Sequence, residues 1–222
     1  MKIVVINGSP KGQLSNTNVM VNAFLKGAQE AGAETVNIFL SEKEIKHCKG
    51  CHVCWTKGPC QCVTNDDMLG VISQMGGANI IVFATPVYFG NISGMLKVFM
   101  DRMTMIGSPH SQKDIKEERT ESNSKEMQTP KLMMIANCGF HDRNEFEVVS
   151  LWIRKVSQKM HMGLVAEIYA TEGKFLTSPP EELSPAVSNY LLALEDAGKE
   201  IAVSMKLSGI NERKLMQGFA AE

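Results

Sequence analysis

Five cysteines crowd into one stretch, Cys48, Cys51, Cys54, Cys60 and Cys62, while a sixth, Cys138, stands far along the chain. Thiolates are soft ligands and good nucleophiles, so such a cluster can bind metal or handle electrons. The Cys48-x2-Cys51-x2-Cys54 spacing lets three thiolates wrap the corners of a cubane, as in bacterial ferredoxins, with Cys62 as the fourth ligand or Cys60 in its place. A [4Fe–4S] cluster is therefore one reading. Zinc on four thiolates is a second, although two separated pairs are more usual for it. Free or redox-active thiols are a third. A disulfide framework fits least, because no secretory signal accompanies the cysteines.

A second candidate runs from Gly8 through Ser9, Pro10, Lys11, Gly12 and Ser15 to Asn16 and Thr17. It is rich in Gly and hydroxyl residues and leads directly into a helical pattern. Free N–H groups at a helix start, the helix dipole and hydroxyl donors together make a phosphate site. The loop lacks the Gly-Lys-Ser/Thr ending of a Walker A motif and the Gly-x-Gly-x-x-Gly of a dinucleotide site, so a single phosphate suits it better. The structural alternative is a plain helix cap on Ser15 or Asn16.

The third candidate is the run from Ala84 to Gly94, which contains Thr85-Pro86-Val87-Tyr88-Phe89-Gly90. Two adjacent aromatics at the end of a central strand suit a flat ring that needs an apolar wall. Pro86 stiffens the loop and Gly90 permits close backbone approach. The alternative is a turn with one aromatic packed inward.

The elements that must position these groups follow from periodicity. β-Branched or continuous apolar runs at 2–6, 34–40, 78–84, 131–138 and 164–170 read as strands. Helical spacing covers 16–31, a stretch opened by Asp66 and Asp67, 94–106, 145–162 and 185–207. Strands alternating with helices imply a parallel sheet with right-handed crossovers. The expected fold is a doubly wound α/β three-layer sandwich with a five-stranded parallel sheet in the order 2-1-3-4-5. Ligands of such sheets sit outside the carboxyl ends of the strands at the switch point, so the loops to inspect begin at Gly8, Thr85 and Asn137. One domain over 1–207 is expected, followed by a tail over 208–222 that is helical near 212–216. The polar segment 108–129 reads as a surface loop, with a lid or dimer arm as the functional alternative.

Composition narrows the partners. Twenty-three Lys and Arg oppose 24 Asp and Glu, a net charge of −1, which leaves no electrostatic footprint for nucleic acid or an anionic membrane. No apolar run approaches a bilayer span. The first residues read as a strand entering a turn rather than a signal peptide, so a cytoplasmic protein is expected. Asp101 and Arg102 read as a structural ion pair, and His141 as a surface residue.

Asn7-Gly8-Ser9-Pro10 with Ser15-Asn16-Thr17, then Thr85-Pro86-Val87-Tyr88, then Lys97 and Asp101-Arg102, resemble the NAD(P)H-dependent FMN reductase family. The cysteine segment ending in Asp66-Asp67-Met68 is similar to the iron–sulfur flavoprotein branch of that family. The resemblance covers about residues 2–106 and continues more loosely to the last strand. It implies a flavodoxin-like fold, FMN as cofactor, NAD(P)H as electron donor, an acceptor such as a quinone, flavin, metal or O₂, and a homodimer or homotetramer with the flavin near a subunit interface. Its alternative is an electron carrier with a [4Fe–4S] cluster and no pyridine-nucleotide site of its own. Ser9, Lys11, Ser15, Asn16 and Thr17 would hold the phosphate. Pro86, Val87, Tyr88, Phe89 and Gly90 would line the flavin ring, and Asn137, Cys138 and Gly139 would approach its other edge. Lys11 stands where the family usually has Arg, which keeps a cation but loses a bidentate fork. The cysteine loop is expected beside the flavin, of its own subunit or of a neighbour across a dimer, because it follows the second strand and emerges at the same edge of the sheet.

Overall fold

The structure, a computed structural model, describes residues 1–107 and 129–219. The expected surface loop at 108–129 lies, but for its last residue, outside the described residues.

Five strands form a parallel sheet: β1 (Lys2–Asn7), β2 (Glu34–Phe39), β3 (Ile80–Tyr88), β5 (Lys131–Asn137) and β6 (Leu164–Ala170), ordered β2-β1-β3-β5-β6. A two-residue strand, β4 (Asn91–Ile92), pairs antiparallel with the end of β3. With that addition the order is the expected one. Residues alternate between two cores: Ile80, Val82 and Ala84 of β3 face one, and Ile81 and Phe83 the other. Each strand buried on both faces reads as a continuous apolar run for this reason.

Helices α1 (Asn16–Glu30), α6 (Ser184–Ser204) and α7 (Gly209–Gln217) cover the first core. Ser15 caps α1 by accepting from the Asn18 N–H. Gly32, at φ 84°, ends it, with Ala33 N–H donating to Ala28 O and Gly32 N–H to Gln29 O. Helices α1 and α6 cross on glycines. A Cβ on Gly27 would lie 1.8 Å from Glu195 O, and one on Gly198 would lie 2.0 Å from Phe24 O. Helix α7 is longer than the sequence pattern indicates, and it buries Asn211 and Leu215, with Phe219 following.

On the second face lie α3 (Met68–Met75), α4 (Gly94–Arg102) and α5 (Glu147–Met160), together with a short helix in the cysteine segment, α2 (Val53–Lys57). Two departures from the sequence reading matter for function. Strand β3 continues through Thr85, Pro86, Val87 and Tyr88 instead of ending at Ala84. The extension is held by β5 on one side, where Thr85 and Pro86 sit opposite Ala136 and Asn137, and by β4 beyond. Helix α4 also stops at Arg102, and its expected last turn is a 3-10 turn over Met103–Ile106.

Candidate functional site

Three loops meet at the carboxyl edge of β1, β3 and β5. The first is stitched to the second by Ser93, whose hydroxyl donates to Gly8 O at 2.6 Å and accepts from Leu96 N–H as the cap of α4. Gly8 N–H donates to Ala84 O at 2.7 Å. A Cβ on Gly8 would lie 2.7 Å from Leu96 Cβ, so only glycine permits this approach. The first loop is tied to the third by Thr17, whose hydroxyl donates to Asn137 Oδ1 at 2.6 Å. Gly173 closes behind Asn137, with its N–H on Cys138 O at 2.7 Å.

The hydroxyls of the first loop are therefore largely spent inside the protein. Ser15 donates to Gly12 O at 2.7 Å while capping Asn18, so the helix-cap reading describes its side chain. Thr17 is spent on Asn137. What remains for an anion is backbone. A helix start leaves its first N–H groups without intrahelical partners. With Asn18 capped by Ser15, those of Asn16 and Thr17 have no partner among the described residues. Ser9 is buried, Lys11 is exposed, and the Asn16 side chain accepts from Thr177. The donor set thus fits one phosphate group, carried by amides and the helix dipole more than by hydroxyls.

In the second loop Pro86 and Val87 are buried, Tyr88 is half exposed, and Phe89 is fully exposed at 110%. Phe89 and Gly90 are the two central residues of the β3–β4 hairpin, with φ of 50° and 71°. Positive φ at both is the signature of a type I′ turn. Gly90 adopts it freely, whereas Phe89 does so at a cost. In the third loop Asn137 and Cys138 are buried, Gly139 is exposed and Phe140 is 67% exposed. Burial pushes the Cys138 thiol above its ordinary value. His141 lies on the surface, 3.4 Å from the Glu172 carboxylate.

The cysteine loop begins at this edge, where Gln13 donates to Glu42 at 3.2 Å. Its thiols do not stay there. Trp55 Nε1 donates to Thr104 O at 3.1 Å and Cys60 N–H to Met105 O at 2.8 Å. These contacts anchor the loop at the far end of α4, one helix length, or about 13 Å by the α-helical rise, from the Gly94 end that meets Gly8. The expectation of thiols beside the carboxyl edge is thus corrected within one subunit: Cys54 and Trp55 join the apolar cluster that also holds Met103 and Met105 after α4, and this burial outweighs simple adjacency to β2. Cys48, Cys51, Cys54 and Cys62 line one small cavity there, shared with Arg102. Cys60 is not among its lining residues. No group of three or more His, Cys, Asp or Glu side chains among the described residues already stands at metal-ligand spacing.

Arg102 is the feature the sequence reading misassigned. Its partner is Asp66, not the neighbouring Asp101, which pairs with Lys97 at 2.6 Å. Both side chains of the Arg102–Asp66 pair are 1% exposed. Burial alone would raise the Asp66 carboxyl, yet Arg102 and the N–H groups of Lys46 and Met68 hold it below the usual carboxylate range. Cys62 behaves similarly: burial opposes its thiolate, but the Thr64 N–H and Arg102 outweigh it and lower the thiol. Burial keeps Cys54 raised. Ser93, Gly173 and the pairing of Asp66 with Arg102 escaped the sequence reading. Only Ser93 carried a local signal, a Ser directly before a helical run.

A family model described as NADPH-dependent FMN reductase matches residues 1–174. The chain is 39% identical over 102 residues to an iron-sulfur flavoprotein of Methanocaldococcus jannaschii, covering 46% of this chain and 51% of that one. It is 40% identical over 107 residues to an iron-sulfur flavoprotein of Methanosarcina thermophila, covering 48% and 54%. The chain thus spans about half the length of the curated relatives it matches. Among solved structures, an NAD(P)H:quinone oxidoreductase from Methanothermobacter marburgensis superposes with a TM-score of 0.65 at 14% identity, over 90% of this chain and 96% of that one. That likeness is one of fold. No described helix is long and apolar enough to cross a membrane. The chain belongs to the NADPH-dependent FMN reductase family.

Proposed function

We propose that this member of the NADPH-dependent FMN reductase family holds FMN at the carboxyl edge of β1, β3 and β5 and passes electrons from NAD(P)H to an acceptor such as a quinone, a flavin, a metal or O₂. The observation that carries the reading is the amide pair of Asn16 and Thr17, which has no partner among the described residues, beside the Ser93–Gly8 and Thr17–Asn137 bonds. FMN when bound supplies the redox chemistry, hydride acceptance and onward electron delivery. The chain supplies position and dryness. Ser9, Lys11, Asn16 and Thr17 would hold the phosphate, with Ser15 shaping the loop as a cap. Pro86, Val87, Tyr88, Phe89 and Gly90 would wall the ring, and Asn137, Cys138 and Gly139 would meet its other edge. No side chain is assigned as a general acid. The exposed Phe89 and Phe140 at this edge also suit coverage by a second copy, in a homodimer or homotetramer. Free cysteines accord with a cytoplasmic setting.

Titration of flavin-free protein with FMN and with FAD tests the reading. Tighter binding of FMN is expected, and a clear preference for FAD would overturn it.

A second reading is favoured by one observation, the four thiols lining a single cavity. In it the protein is an iron–sulfur flavoprotein that carries electrons, with a [4Fe–4S] cluster on Cys48, Cys51, Cys54 and Cys62. The donor set fits. Four thiols share the cavity with Arg102, whose buried Nε–H lacks a partner among the described residues. Inorganic sulfide is an acceptor of the kind that Nε lacks. An absorption spectrum of protein purified without air separates flavin bands from a broad cluster shoulder.

A further inference from the structure

Arg102 ends α4 and reaches both ends of the cysteine loop. One terminal nitrogen, Nη1, donates to Lys46 O at 2.9 Å, two positions before Cys48. The same nitrogen bonds Asp66 Oδ2, and Nη2 bonds Oδ1 at 3.1 Å, four positions after Cys62. Nη2 also points at Cys62 Sγ, 3.6 Å away. A guanidinium is the side chain suited to this, since its planar fork can serve several acceptors at once. Nε is buried and unpartnered among the described residues.

We infer that Arg102 is the positioning residue of the thiol site: it clasps the loop at Lys46 and Asp66, selects Cys62 over Cys60 as the fourth donor, and offers hydrogen bonds to the sulfur atoms gathered there. This rests on the iron–sulfur reading above. The Cys60 thiol does not line the cavity, and its backbone is held away by its N–H on Met105 O at 2.8 Å, with φ at 62°. Asp66 already balances the guanidinium charge. The effect of Arg102 on a bound cluster is therefore directional, through hydrogen bonds, which raise the reduction potential of an iron–sulfur centre. Removing those bonds should lower it.

The test uses the full chain, reconstituted with iron and sulfide in the absence of air. Iron and sulfide per chain are assayed, and the cluster potential is followed by electron paramagnetic resonance. Flavin content and circular dichroism report the fold. Wild type and Cys60→Ser should both load about four iron and four sulfide, while Cys62→Ser should lose the cluster. Arg102→Gln combined with Asp66→Asn keeps the buried pair neutral and guards against simple unfolding. That variant should hold less cluster, or hold it at a lower potential, and Arg102→Lys should recover only part of the loss. Full loading of Cys62→Ser, or an Arg102→Gln/Asp66→Asn variant that loads fully and keeps the wild-type potential, would overturn the inference alone. A wild type that takes up no iron sinks the inference and the iron–sulfur reading together.

Discussion

The Thr17 hydroxyl donates to Asn137 Oδ1 at 2.6 Å across a separation of 120 positions, joining the first turn of α1 to the end of β5. Both residues are buried, at 1% and 6% exposure. The bond makes the first and third loops one unit, so changes on either side should be felt on the other.

Thr17→Val keeps the shape of the side chain and removes the donor. The Asn137 oxygen is then buried without its partner, which costs about 1–3 kcal/mol. Urea denaturation should show a lower midpoint with an unchanged slope. An unchanged midpoint would mean that Asn137 finds another donor.

Gly173→Ala should act on the same bond from behind. Its Cβ would lie 2.3 Å from Asn137 Nδ2, so the amide must move and loosen its hold on Thr17. Combined with Thr17→Val, the two costs should fall short of their sum by about 0.5–3 kcal/mol. Strict additivity in the double-mutant cycle would separate the two residues.

Phe89→Gly should divide stability from binding. Phe89 is fully exposed and sits at φ 50°, so glycine removes a backbone cost of about 1–2 kcal/mol without losing buried area. The unfolding midpoint should rise while FMN affinity falls, because the proposed ring wall has gone. A variant that binds FMN as tightly as wild type would remove Phe89 from the site.

Acid should expose the Asp66–Arg102 pair. Asp66 titrates below its ordinary value of 3.8 in the folded chain, so its contribution is present above that pH and lost as pH falls through the folded value. Asp66→Asn leaves Arg102 buried without a counter-charge and should cost about 3–5 kcal/mol near neutrality. Below the ordinary carboxylate value the wild-type curve should drop toward that of the variant. Parallel curves throughout the acid range would show that the pair does not drive acid unfolding.

The sheet order was legible because five apolar runs alternate with helical spacing, and the carboxyl-edge loops follow from that order. Local hydrogen-bond competition was not legible. Ser15 looks like an anion ligand and like a cap from sequence, and in the folded chain its proton goes to Gly12 O. The extension of β3 through Pro86 was hidden because proline reads as the end of a strand, while the support comes from Ile92 and Asn137, which are distant or out of pattern. Arg102 has an acidic neighbour in Asp101, which drew the pairing away from Asp66, 36 positions earlier.

The interlocked glycines of α1 and α6 set a timetable for synthesis. Helix α1 leaves the ribosome early, yet the backbone of α6 that seals against Gly27 arrives only with residues 184–204. At about 5–20 residues per second, the interval from residue 30 to residue 184 is roughly 8–30 s. Throughout it Met20, Phe24 and Ala28 present an apolar stripe with no cover from α6. A chain halted before Ser184 should therefore aggregate more readily than the full chain, as light scattering would show.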